Sequence, residues 1–359
     1  MTQDKFTVSA QNHVARVGVA LDAALKRAAE SGDARVLNLA TDRYIIFSDQ
    51  HRGARNGADD FLRTERAYNA ALAYYLRQGY TLVVLGDAEE LWEERPAVVF
   101  RAYPRTFALE AQFHRSGRYL RVWGNHDDEW RYEDSVRRHL VAVYGNPPLR
   151  VHESLRFTVM DGETALGTLF LLHGHQGDAI NDRLSGVARF FVRYVWRTFQ
   201  RLTRISLNTP ATSWDLRTKN NQALYTWAAQ QSKLILIAGH THAPVFRSQT
   251  QATQITAAIE TLESVAPERL VDAEAVSLLL AQREWVLAQD QPNPPIESAV
   301  SPAKPCYFNA GCCCFSDGDI TGIEIARGQI RLVRWPDKTR KPTPCILAEA
   351  VLRDVLAAC

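Results

Sequence analysis

Acidic and imidazole side chains of this 359-residue chain gather in five short pieces. They are Asp49-Gln50-His51, Gly86-Asp87, Gly124-Asn125-His126-Asp127, His173-Gly174-His175 and Gly239-His240-Thr241-His242. Six of the ten histidines lie in them, more than scattered surface histidines would supply. Aspartate, asparagine and imidazole make a mixed oxygen and nitrogen ligand set. Such a set suits Mn²⁺, Fe or Zn²⁺ better than Ca²⁺ or Cu⁺. No cysteine falls in the pieces, which argues against a structural zinc site. Two metals need a bridging carboxylate, and Asp87 stands alone at its strand end to serve. Metals roughly 3.5–4 Å apart can hold a hydroxide between them and clamp both oxygens of an in-line displacement at phosphorus. The pKa of such a bound water falls toward about 7.

Each piece follows a short apolar run: Tyr44 to Phe47, Thr81 to Leu85, Tyr119 to Trp123, Thr168 to Leu172, and Leu234 to Ala238. These runs read as strands buried on both faces. Asp60 to Gln78 carries apolar residues at helical spacing, stopped by Gly79, and Ala97 to Arg115 is a second, less regular helix. Strand, helix, strand repeated predicts parallel strands with right-handed crossovers. Ligands of such sheets bind beyond the carboxyl ends of the strands, where every polar piece sits. Asp49 to Asp87 is 38 residues and Asp87 to Asn125 is again 38, one βα unit each.

The pieces resemble the five motifs of the calcineurin-like metallophosphoesterases: D-x-H, GD, GNH(D/E), a strand-end His, and GHxH. The likeness spans about residues 42–335. It implies an α/β fold, a four-layer α/β/β/α sandwich here carrying helical inserts. It implies two divalent metal ions, Mn²⁺ first, with Fe or Zn²⁺ as alternatives. Asp49, His51 and His242 would bind one ion and Asn125, His173 and His240 the other, with Asp87 bridging. His126 would serve the leaving group, and Asp127 would orient its ring. The first histidine of His173-Gly174-His175 ends its strand and is taken as the ligand. His175 is then a substrate contact or a neighbour of the ligands.

The implied reaction is hydrolysis of a phosphodiester or pyrophosphate bond by a metal-bridged hydroxide. A general phosphomonoesterase, including a phosphoprotein phosphatase, is the second reading. A non-catalytic metal-binding scaffold is the third, from another functional class.

The net charge of +2 does not indicate a nucleic-acid partner. All six cysteines fall in the last sixth of the chain, none in a C-x-x-C pattern, and are expected as free thiols. Met1 to Gln11 has no signal-peptide pattern, and no run reaches the ~20 apolar residues of a membrane span. A cytoplasmic enzyme is expected, with peripheral contact at the inner membrane surface as an option. That option rests on residues 183–204, where Phe190, Phe191, Tyr194 and Phe199 interleave with Arg189, Arg193 and Arg197. Such a helix suits anionic lipid or a lid over a lipid-linked substrate, and equally a helix packed on the core.

The organisation expected is an N-terminal helical extension (1–40), a core (41–249) with a helical insert at about 176–231, a helical insert with a Pro-rich linker (250–305), and C-terminal strands and helix (306–359). The string Gly86 to Trp92, with Glu89, Glu90 and Trp92 after the aspartate, is similar to one branch of the superfamily, the bacterial UDP-2,3-diacylglucosamine diphosphatases. His126 and His175 stand where that branch often has Arg and Asp. The candidate substrate is therefore a small-molecule or lipid-linked phosphoester, nucleotide-sugars included. Arg52, Trp92, His175, Phe190 and Arg193 are its candidate contacts.

Overall fold

A computed structural model describes residues 2–33, 35–177, 210–250 and 303–359, with positions 253, 255, 280–284 and 296 between. Phe190, Arg193 and the rest of the 183–204 segment lie outside the described residues, as does most of the 250–305 insert.

The chain is mixed α/β. Its strands are β1 (Arg35–Asn38), β2 (Arg43–Phe47), β3 (Thr81–Leu85), β4 (Tyr119–Val122), β5 (Val151–His152), β6 (Ser154–Asp161), β7 (Thr164–Leu172), β8 (Leu234–Ala238), β9 (Val245–Phe246), β10 (Gln249–Thr250), β11 (Tyr307–Asn309), β12 (Ile320–Ala326), β13 (Gln329–Trp335) and β14 (Cys345–Val351). They form two seven-stranded sheets among the described residues. One runs β1-β6-β7-β8-β11-β9-β10, the other β14-β13-β12-β2-β3-β4-β5. Both are mixed. β2, β3 and β4 are parallel, as are β7, β8 and β11. β12 closes antiparallel onto β2, and β6 onto β7.

The first three polar pieces therefore leave one sheet and the last two leave the other. Sequence spacing predicts the parallel β2-β3-β4 unit. It does not place β7 and β8 in a second sheet, nor mark β1, β5 and β6. Those three strands carry none of the polar pieces, and β5 has only two residues.

Alternation along the strands sets the packing. Ile46, Val83, Leu85 and Val122 turn into one core with Leu169, Leu171 and Ile237 of the other sheet. Ile45, Phe47, Leu82 and Val84 turn the opposite way, into a core with Phe61, Tyr68, Leu72 and Tyr75. The latter four lie on helix α2 (Phe61–Arg77), whose apolar face the sequence marks at helical spacing. The second helix is broken in two at Tyr103, giving Pro96–Ala102 and Pro104–Arg115. Pro104 lacks the N–H that a continuous helix would need.

The N-terminal helix α1 runs Thr2–Glu30, longer than the His13 to Ser31 pattern. It packs on β6 and on the helix Pro210–Gln230, with Trp227 donating its indole N–H to Asp22. The Ile320–Ala326/Gln329–Trp335 hairpin forms as its Arg327-Gly328 turn predicts, both turn residues having positive φ. No helix among the described residues is long and apolar enough to cross a membrane.

Candidate metal centre

The loops after β2, β3 and β4 are laced together before any side chain is considered. The His51 N–H donates to the Asp87 carbonyl, Arg52 to Ala88, and Leu91 to His126, at 2.9, 3.0 and 3.1 Å. A Cβ on Gly86 would stand 2.6 Å from the backbone nitrogen of Gly124, and one on Gly124 would stand 2.2 Å from Asp87 Oδ1. Glycine is required at both positions for that approach.

The other sheet joins through two contacts. The His240 N–H donates to Asp49 Oδ2 at 2.9 Å. The His173 Nδ1 donates to the Leu85 carbonyl, at the end of β3, at 2.7 Å. Asn309 of β11 pins the Gly239 to His242 turn, its amide donating to the Gly239 carbonyl at 2.7 Å.

Asp49, His51, Asp87, His240 and His242 all have φ between 50° and 68°. Non-glycine residues in this region are uncommon and cluster where a site over-determines the backbone. Five of the seven residues expected to bind metal share this signature.

The side chains converge as two groups. Asp49, His51 and His242 form one, and Asp87, His173 and His240 the other; within each, the candidate ligand atoms lie within 4.8 Å of one another. Asp87 stands between them. Its Oδ2 is 3.1 Å from His173 Nε2 and 3.8 Å from His51 Nε2. Asn125 Oδ1 lies 3.2 Å from His173 Nε2, beside the second group. The ring of His173 is turned by its Nδ1, which donates to the Leu85 carbonyl at 2.7 Å. That leaves Nε2 facing inward as a ligand atom.

The donor set fits divalent cations. The Nε2 atoms of His51 and His242 face each other at 3.3 Å, although two neutral ring nitrogens in that arrangement can share only one proton. Asp49 Oδ1 is buried and makes no aligned hydrogen bond, although His242 Nε2 is 3.2 Å away. Atoms brought close without hydrogen-bond alignment are what ligands of a shared cation look like. Electrostatics agree. Burial disfavours charge on Asp87, yet the neighbouring histidines outweigh it and hold its pKa well below the usual carboxylate range. Burial likewise opposes charge on His173, but Asp87 and Asp49 raise its pKa to about 9. The carboxylates here draw positive charge onto whatever neighbours can carry it.

His126 sits at the rim. Its ring stacks on Trp92 with centroids 4.2 Å apart and planes 18° from parallel. Its Nδ1 meets Glu90 Oε1 at 2.8 Å. Burial lowers its pKa, but Glu90 and then Asp87 outweigh this and raise it. Glu90 also meets His51 Nδ1 at 3.0 Å, so one carboxylate orients two rings.

Two expectations are corrected here. Asp127 does not orient His126. Its oxygens accept the N–H groups of Gly124, Ala88 and Asp87 at 2.6, 3.0 and 3.2 Å, and Arg121 at 3.1 Å. It holds the backbone under Asp87, and Glu90 takes the role assigned to it. Arg52 is not a substrate contact. It is fully buried, and its guanidinium is bound by Glu110 and Glu89, each at 2.8 Å. Trp92 is partly buried, with its indole N–H on the Asn125 carbonyl at 2.6 Å and its face on His126.

His175 is buried against His173 and Trp123, with Nδ1 unpartnered. Burial and the charge of His173 push its pKa down to about 3, so it remains neutral. It lies beside the ligands rather than on an open surface.

Glu90 and Cys314 are the neighbours that motif reading passed over. Glu90 stands three residues after Asp87 and appeared only as part of the Gly86 to Trp92 string, with no role given to it. Cys314 Sγ lies 3.5 Å from His242 Nδ1. Compared with family models and with curated proteins, the chain finds no match.

Proposed function

We propose that the chain is a dinuclear-metal hydrolase of phosphodiester or pyrophosphate bonds, with the four-layer α/β/β/α architecture of the calcineurin-like metallophosphoesterases. The observation that carries this reading is the pair of ligand groups, three residues each, meeting at Asp87 with His126 held beside them. Asp49, His51 and His242 would hold one ion, and Asn125, His173 and His240 the other. The ions, when bound, would supply Lewis acidity and an activated water.

The chain's own residues do the rest. Asp87 keeps the groups together through Oδ2, while its Oδ1 accepts the His126 N–H at 2.8 Å. Glu90 takes the Nδ1 proton of His126 in a hydrogen bond, so Nε2 is the ring nitrogen that gives a proton to the departing oxygen. Trp92 fixes the plane of that ring. The buried Arg52, Arg121, Glu89 and Glu110 network stiffens the loops beneath.

The Gly86 to Trp92 string supports a small nucleotide-sugar or lipid-linked diphosphate as substrate, and the basic, aromatic sequence of residues 183–204 supports contact with the inner face of a membrane. The test is His126→Ala in Mn²⁺-loaded protein. The proposal expects two ions retained and diester hydrolysis lost by roughly 10²–10⁴-fold. Loss of an ion instead would make His126 a ligand and overturn its assignment. A preference for monoesters in the unaltered protein would favour the phosphomonoesterase reading.

A further inference from the structure

Cys312, Cys313 and Cys314 are consecutive, and their side chains part company. Cys313 packs into the core with Phe47, Phe61 and Tyr68. Its N–H is held by the Ser48 and Asp49 carbonyls, both at 3.1 Å. Cys312 packs elsewhere, with Ile255 and Phe315, and Cys314 lies partly buried against that group. Cys312 and Cys314 both come up to His242, and Cys314 Sγ is 3.5 Å from its Nδ1. The two sulfurs and that nitrogen all lie within 4.8 Å of one another. The opposite ring nitrogen, Nε2, faces Asp49 and His51.

We propose that Cys312 Sγ, Cys314 Sγ and His242 Nδ1 form a separate thiolate and imidazole site for a borderline-soft divalent cation of the Zn²⁺ class. A tetrahedral ion with bonds of about 2.1–2.3 Å separates its ligands by roughly 3.5 Å, the spacing Cys314 and His242 already have. Three protein ligands leave a fourth position on the partly exposed side of Cys314, for water or an exogenous group. The two ligand sets differ in softness. The oxygens of Asp49, Asp87 and Asn125 accept Mn²⁺, whereas thiolates discriminate against it in favour of Zn²⁺. Loading the site releases the protons of both thiols and of Nδ1. With ions on both sides, the His242 ring bridges them.

The test uses the full chain, kept reduced and titrated with Co²⁺ alone. Thiolate ligation gives an intense near-ultraviolet charge-transfer band, which oxygen and nitrogen ligands do not. The expected result is that band in the unaltered chain, its loss in Cys312→Ser/Cys314→Ser, and one ion fewer per chain in that variant. Asp87→Asn should keep the band, which separates this site from failure of the dinuclear centre. Should the double variant fail to fold by circular dichroism, Cys314→Ser alone is expected to lose about half the band, one thiolate of two. No band in the reduced, unaltered chain, or a band unchanged by the substitutions, would overturn the proposal.

Discussion

Glu90 holds the ring of His126 from below, Oε1 to Nδ1 at 2.8 Å, while Asp127, the residue next to that histidine in sequence, turns away into the backbone. Because Glu90 also meets His51, it couples the proposed leaving-group histidine to a candidate metal ligand. Glu90→Gln should lower activity and metal affinity together, each by about 10–100-fold. It also removes the strongest of the charges that raise the His126 pKa. The basic limb of the pH–rate profile should therefore move to lower pH. An unmoved limb would mean that His126 is not the acid.

That relationship marks the limit of the sequence. Asp49, His51, Asp87, His173, His240 and His242 were readable because each follows a strand, and the fold brings them close together as Asp49, His51 and His242 on one side and Asp87, His173 and His240 on the other. The partner of His126 was not. Asp127 and Glu90 are both acidic and both near a motif, and only the path of the β3 loop decides which carboxylate reaches the ring. Arg52 misled for a similar reason: a lone arginine next to a ligand looks like an anion contact until Glu89 and Glu110 are found around it. The resemblance implies two sheets, but their full strand lists were hidden, since β1, β5 and β6 carry no chemistry to signal them.

The proton held by His173 gives a pH prediction. Its folded pKa is raised to about 9 from the ordinary 6.5. A raised folded value contributes stability that is complete below 6.5 and is lost as pH rises through about 9. Without added metal, the melting temperature should fall across that window, and less so in His173→Gln. A metal must displace this proton, so binding at pH 7 should release protons and tighten as pH rises. Calorimetry in buffers of different ionisation enthalpy would measure the release. Metal binding with no proton release would contradict His173 as a ligand.

Gly124 approaches Asp87 so closely that a methyl group must displace it. Gly124→Ala should cost about 1–3 kcal/mol of stability and, more tellingly, should weaken metal binding in whatever fraction still folds. Thermal unfolding with and without Mn²⁺ separates the two effects. A variant with unaltered metal affinity would show that the Asp87 position is not critical.

Arg121 is fully buried between Glu89, Asp127 and Tyr144. Arg121→Ala leaves the buried Asp127 without its cation and Glu89 with Arg52 alone, and should cost about 3–5 kcal/mol. Denaturant unfolding measures this. A loss below about 1 kcal/mol, as for an exposed pair, would mean that the loops beneath the centre do not depend on the network.

The central claim is a dinuclear centre that hydrolyses phosphoesters. The direct measurement strips the protein of metal, reloads it with Mn²⁺, and follows release of nitrophenol from bis-p-nitrophenyl phosphate, with Asp87→Asn alongside. The account predicts two ions per chain at the Asp87 centre and diester hydrolysis that Asp87→Asn abolishes. Two bound ions with no turnover of this diester, of p-nitrophenyl phosphate or of any nucleotide-sugar diphosphate would contradict it, and would leave a metal-binding scaffold.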